Sequence, residues 1–320
     1  KTRRYPRRAR RDGALKNARS LTIARDGIKH AASFLNLSSE LEILLLIRRN
    51  MITFAENPND YKALQQAVTL MNSPSVTSKL ADLIGTPVEA VLGKLSKSNQ
   101  KKVGQVVTTA LHKAADAALW TMEDKPGSSA STVMHKIGAA ATGALGGFFG
   151  FSTVLIEVPF AITIMMRAVA DVARSEGFSL ADFQTRAECV QIFGMECGSN
   201  ATPGHQYYAM KEVLKQIIGL TATEITANIS AKSVKGITSQ ETASLLAKLI
   251  EAVAARFGVV ITEKVAAQIV PVVGAIAGAT INALFTDHYQ DMAKAFFTIK
   301  RLEKKYGEEQ VMAAISAMAP

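Results

Sequence analysis

The sequence predicts an all-α fold, a multi-helix bundle packed around two glycine-rich apolar central helices. Three observations carry this expectation. Hydrophobic residues make up 48% of the chain but aromatics only 6%, a balance of small and aliphatic side chains that suits helices better than a sandwich or barrel. Nearly every start and stop signal is helical. No run alternates apolar and polar residues long enough to form a half-buried strand. At 320 residues the chain holds one large domain or two small ones, and 20% charge beside 48% hydrophobic content excludes a disordered polymer. Two cysteines exclude a disulfide scaffold and leave Cys189 and Cys197 as reduced, structural thiols.

The elements follow in order. Leu15, Ala18, Leu21, Ala24, Ile28, Ala31, Ala32 and Leu35 recur at helical spacing, with Lys16, Arg19, Arg25 and Lys29 mostly elsewhere on the wheel. Ser38 or Ser39 opens SSELEILLLIRRNMITF, which Asn57-Pro58-Asn59 closes. Asp60 is placed to cap DYKALQQAVTLM. Thr86-Pro87-Val88-Glu89 combines a cap, a first-turn proline and a glutamate three residues on. A helix is expected from Lys101 to Met122, ended by Lys125-Pro126-Gly127. Ser179-Leu180-Ala181-Asp182 and Thr238-Ser239-Gln240-Glu241 open two more, and Gly258 is the expected stop of the second. The organisation read from these signals is a basic arm (1–30), an N-terminal helical region (31–125), a linker (126–135, beginning PGSSAS) and a helical core (136–320).

Charge is concentrated at one end. The net charge is +10, and residues 1–30 hold 11 basic groups against 2 acidic ones. The remainder is close to neutral. Arg3, Arg4, Arg7, Arg8, Arg10, Arg11, Lys16 and Arg19 form the polyanion-binding candidate. Three readings stay open: a solvated tail leading into a helix docked on the core, an anionic membrane surface, and nucleic acid. Tyr5 is the one aromatic among the first charges, which counts against base stacking and makes nucleic acid the weakest of the three.

Two segments carry no charge. Residues 137–156, IGAAATGALGGFFGFSTVLI, lie between Lys136 and Glu157; residues 265–286, VAAQIVPVVGAIAGATINALFT, lie between Lys264 and Asp287. Each is long enough for one membrane crossing. Gly143/Gly147, Gly146/Gly150 and Gly274/Gly278 are four apart, which puts glycines on one helix face and admits a neighbour at backbone distance. Five glycines in the first segment, and Gln268, Pro271 and Asn282 in the second, weaken the case for spanning. A buried central hairpin and insertion into lipid, permanent or triggered, both remain.

Glu157, Arg167, Asp171 and Arg174 are the candidate polar cluster. Arg167/Asp171 and Asp171/Arg174 have helical pair spacing, and a carboxylate embedded at Glu157 must find a partner or a proton. The group is either a polar site at the base of an apolar bundle or a structural ion-pair network.

The order of these blocks resembles a known family. A glycine-rich apolar run leads to Glu157-Val158-Pro159, then Met166-Arg167-Ala168-Val169-Ala170-Asp171-Val172-Ala173-Arg174 and Gly177. Further on come Pro271-Val272-Val273-Gly274-Ala275, Gly278-Ala279 and Asn282, then Ala293, Phe296-Phe297, Leu302-Glu303 and Lys305-Tyr306-Gly307. Over roughly residues 85–310 this is similar to the EcsC protein family of bacteria. The resemblance implies a helix-rich protein in a membrane-associated setting. The founding member is encoded beside the ATPase and membrane subunits of an ABC exporter. No catalytic residue or cofactor comes with it, and the arginine-rich arm is an addition to the family pattern.

Other chemistry finds little support. The histidines at 30, 112, 135, 205 and 288 are scattered, and the cysteines are eight apart, so no metal site is expected. Asp287, His288 and Asp291 form a small cluster that is either a solvated helix segment or an acid-base or metal group. GALGGFFG at 143–150 lacks the lysine and preceding strand of a phosphate loop. Tyr207-Tyr208 either pack a turn or rim a pocket. The leading functional expectation is a non-enzymatic, cytoplasmic protein peripheral to the inner membrane. Its arm would bind anionic lipid, and its apolar helices would take an ABC exporter, another membrane protein or an acyl chain. Two alternatives stand beside it: a pore-forming protein that inserts from a soluble state, and a lipid-handling enzyme using Glu157, Arg167 and Asp171.

Overall fold

The computed structural model describes residues 57–119, 122, 126–130, 151–195, 204–218, 239–269 and 274–318. Among them are ten α-helices, one 3-10 turn and no strand, so the chain is an all-α bundle. The helices are α1 (Pro58–Met71), α2 (Val76–Ile84), α3 (Val88–Leu92), α4 (Lys97–Leu119), α5 (Phe151–Ser175), α6 (Phe183–Gln191), α7 (His205–Ile218), α8 (Ser239–Gln268), α9 (Gly274–Tyr306) and α10 (Glu308–Ala317). The basic arm, the expected helices at 15–35 and 38–54, and Gly143, Gly146, Gly147 and Gly150 lie outside the described residues.

Several boundaries differ from the sequence expectation, each for a local reason. Asn57-Pro58 begins a helix rather than only ending one. Proline at the first helical position loses no needed donor, and the Asn57 carbonyl accepts from the Asp60 and Tyr61 amides. Asp60 thus sits inside the first turn. The α4 helix starts before Lys101, because Ser96 accepts the Asn99 amide at 3.2 Å. Gly258 is not a stop: α8 runs through it to Gln268. A Cβ at Gly258 would lie 3.9 Å from the Gly104 Cα, ordinary contact distance, so α8 passes α4 here with room for a methyl group. Residues 265–286 do not make one helix. They are divided between the end of α8 and the start of α9, with Pro271 three residues beyond Gln268.

The chain divides into two compact units. One comprises residues 1–69, 200–205 and 298–320; the other comprises 70–199 and 206–297. In the first unit Leu64, Leu302, Val311 and Ile315 are buried together with the small residues of α10. Asp60 of α1 accepts from Lys305 Nζ and Tyr306 Oη, each at 2.6 Å, and Arg301 lies 3.7 Å away. Burial pushes the Asp60 carboxyl up, but these hydrogen bonds and charges outweigh it and hold the group below its ordinary range.

In the second unit α4 packs against α5 and α8, and α8 also meets α2, α3, α6 and the 3-10 turn. Helix α4 buries Val103, Val107, Ala110, Leu111 and Ala114 along one stripe and turns Lys101, Lys102 and Gln105 outward. Phe193, Phe257 and Tyr289 form an aromatic knot with ring centroids 4.8–5.5 Å apart. Gly177 (φ +89°) ends α5, and the Phe178 amide reaches back to the Ala173 carbonyl at 3.1 Å, a left-handed stop that a Cβ would strain.

Candidate functional site

Over residues 151–166 helix α5 carries one ionisable group, Glu157, among apolar side chains and the hydroxyls of Ser152, Thr153 and Thr163. That group is 6% exposed and must be compensated inside the protein. Three partners converge on it from two other helices. Lys264 and Gln268 are one turn apart on α8, and Asn282 lies two turns into α9. Lys264 Nζ donates to Glu157 Oε1 at 3.3 Å, and Asn282 Nδ2 donates to the same oxygen at 2.6 Å. Gln268 Nε2 lies 3.4 and 3.3 Å from the two carboxylate oxygens, and its own Oε1 accepts from Lys264 at 3.3 Å.

The cluster is dry and formally neutral. Lys264 has no exposure, and the Phe285 ring lies 6.0 Å from its ammonium. Burial drives the Lys264 pKa down, while the Glu157 charge and hydrogen bond work against that fall. A carboxylate saturated by three donors is a poor general base. An enzymatic reading of Glu157 needs it open to substrate, and the cluster gives that reading no support.

The other candidates are placed elsewhere on α5. Arg167 donates to the Ala117 carbonyl in the last turn of α4 at 3.2 Å, where a cation complements a helix C-terminus. Asp171 and Arg174 pair with each other, and the Arg174 carbonyl accepts the Gly127 amide of the expected linker. Glu157 is therefore bonded to α8 and α9, whereas Arg167, Asp171 and Arg174 engage α4, each other and Gly127. The missed partners had a sequence signal. Lys264, Gln268 and Asn282 are among the polar residues that border or interrupt the second charge-free segment. Gly274 opens α9, and Gly278 is buried one turn later.

The remaining candidates are accounted for by packing. The His288 ring is 2% exposed and edges Tyr289 at 5.2 Å, and its Nδ1 has no hydrogen-bond partner among the described residues. Burial, then the Lys79 charge, pushes its pKa down to about 4. Among the described residues no three His, Cys, Asp or Glu side chains gather as a metal site. Tyr207 is buried against Tyr208 and Phe296, and Lys211 caps both tyrosine rings at 5.4 and 5.6 Å. Cys189 is a buried free thiol, and Cys197 lies outside the described residues. An open groove of about 410 Å³ runs where α4 crosses α8, floored by Gly104 and Gly258. Thr108 and Thr262 at its sides donate to the carbonyls of those two glycines.

Two large apolar side chains of α5 face outward. Ile156 is 67% exposed and Phe160, one turn on, is 61% exposed. Among the described residues α5 is also the one helix long and apolar enough to cross a membrane, with mean hydropathy 1.7 and 56% of that stretch buried.

Comparison with known proteins gives one match. The model of the EcsC protein family aligns with residues 57–302, beginning earlier than the roughly 85 expected from the motifs. No curated protein and no solved structure matches.

Proposed function

This chain belongs to the EcsC protein family, and from that premise we propose that it is a non-enzymatic protein peripheral to a bacterial inner membrane. In this reading it binds anionic lipid through its basic arm and the outward face of α5. The observation that carries the reading is the exposed pair Ile156 and Phe160 on the most apolar helix described. Moving two such side chains out of water yields about 1.5–3 kcal/mol each. Each arm cation close to an anionic surface adds about 1 kcal/mol, and the arm holds 11. The two contributions differ in kind, since salt screens the second and not the first.

Vesicle co-sedimentation tests this. The full chain should pellet with phosphatidylglycerol-rich vesicles and only weakly with phosphatidylcholine alone. Replacing Arg3, Arg4, Arg7, Arg8, Arg10 and Arg11 by glutamine should weaken the lipid-charge preference. Ile156→Ser with Phe160→Ser should lower binding on both lipids while leaving the circular dichroism spectrum unchanged. A full-length protein that stays in the supernatant with every lipid at low salt would overturn the proposal.

A further inference from the structure

We infer that the Glu157–Lys264–Gln268–Asn282 cluster is a catch, which holds the first half of α5 against α8 and α9 until a bilayer draws that segment out. This rests on the membrane reading above and specifies which segment enters lipid and what restrains it.

The closed state shows the bilayer little of α5. Ile156 and Phe160 face out, but Val154, Val158 and Ile162 are 0–1% exposed. An opened α5 would offer all five. A bilayer therefore has more to bind in the open form, and that difference is what allows it to shift the equilibrium. Residues 151–166 span about 24 Å as a helix, short of the roughly 30 Å hydrocarbon core, so the segment suits the headgroup boundary and not a crossing. Lying there, it has apolar side chains around most of its circumference and a single carboxylate, Glu157, to turn toward headgroups and water. No charge has to enter hydrocarbon.

The restraint is equally local. The rest of the α5 surface in residues 151–166 is apolar or neutral, and apolar contacts fix no register by themselves. The four polar groups do, because their mutual bonds form only in one arrangement, and separating them leaves a buried ammonium without its carboxylate. Pro159 sits two residues after Glu157. Its nitrogen has no hydrogen to give the Leu155 carbonyl, so the helix is weakest within a turn of the catch. Thr163 Oγ1 donates back to the Pro159 carbonyl at 2.8 Å, which leaves the Leu155 carbonyl unserved and favours a bend at the same place.

The test compares the full-length wild type with Glu157→Gln, Gln268→Leu and the double variant Glu157→Gln/Lys264→Met. Amide exchange over residues 151–166 is read in solution, and partition onto phosphatidylglycerol vesicles is read alongside. Glu157→Gln should speed exchange there at least about tenfold and raise partition by a similar factor. Gln268→Leu, which removes the Gln268 bonds to both Glu157 oxygens and to Lys264 and leaves the ion pair, should give about threefold in both. The double variant, neutral and nearly isosteric, should return both to within about threefold of wild type. If Glu157→Gln does not fold, Gln268→Leu and the double variant still decide the matter. A wild type that binds vesicles beside variants that bind and exchange like it overturns the catch. A wild type that binds no vesicles overturns the membrane reading and the catch's lipid role with it.

Discussion

Removing the Glu157 charge should make the stability of this protein depend on alkaline pH in a way the wild type does not. Glu157→Gln keeps the side-chain shape but leaves one acceptor oxygen where there were two, and it takes the counter-charge from Lys264, which has no exposure. A bare buried ammonium costs several kcal/mol, more than losing its proton does. Lys264 will therefore fold neutral, its pKa already pushed down by burial and now without the carboxylate that opposed the fall. The cost is then that of deprotonating a lysine whose ordinary value is 10.5. At pH 7 that is about 5 kcal/mol, and at pH 9 about 2 kcal/mol. The sign follows from proton counting. The unfolded variant binds one more proton than the folded one below 10.5, so stability rises with pH by about 1.4 kcal/mol per unit. Urea unfolding of wild type and variant at pH 7, 8 and 9 measures the difference directly. A variant within about 1 kcal/mol of wild type at pH 7, or a gap that does not close as pH rises, would refute this account of the cluster.

Three further outcomes are expected. His288 is held neutral with its pKa near 4, whereas the unfolded ring takes its proton near 6.5, so acidification favours the unfolded chain. Between pH 7 and 5 the wild type should lose about 2 kcal/mol more than His288→Leu does, by urea midpoints. In the first unit, a Cβ at Gly204 (φ +78°) would sit 2.6 Å from Ile315 Cγ2, so Gly204→Ala should cost about 2 kcal/mol or more in thermal unfolding. Gly258→Ala should go the other way. Its new methyl meets Gly104 at ordinary contact distance inside a long helix, and the gain in helix preference should stabilise by up to about 1 kcal/mol.

These residues also show where sequence is informative and where it is silent. Periodicity and caps marked α1, α3, α4, α6 and α8, because a stripe such as Val103, Val107, Leu111 and Ala114 is a local property of the chain, whereas α2, α7 and α10 went unmarked. Gly258 misled, since the same residue type ends a helix where the chain turns and lies inside one where a neighbouring helix packs alongside. Only the position of Gly104, 154 residues earlier, decides between them. Glu157 stood out as a charge in an apolar run, yet short-range spacing directed attention to Arg167 and Asp171 on its own helix. Its actual partners are 107 and more residues away. A rule of complementarity would have found them: polar residues embedded in one apolar stretch imply counterparts embedded in another.

The lock on α5 sums to zero charge and lies beyond the reach of dissolved ions, while the arm presents its cations within a single short stretch of chain. Ionic strength is therefore a selective dial. Raising salt should weaken the tail's hold on a negatively charged surface without acting on the internal fastening directly. In that reading salt acts on the tail alone and reaches the internal fastening only through the bilayer contact that the tail maintains.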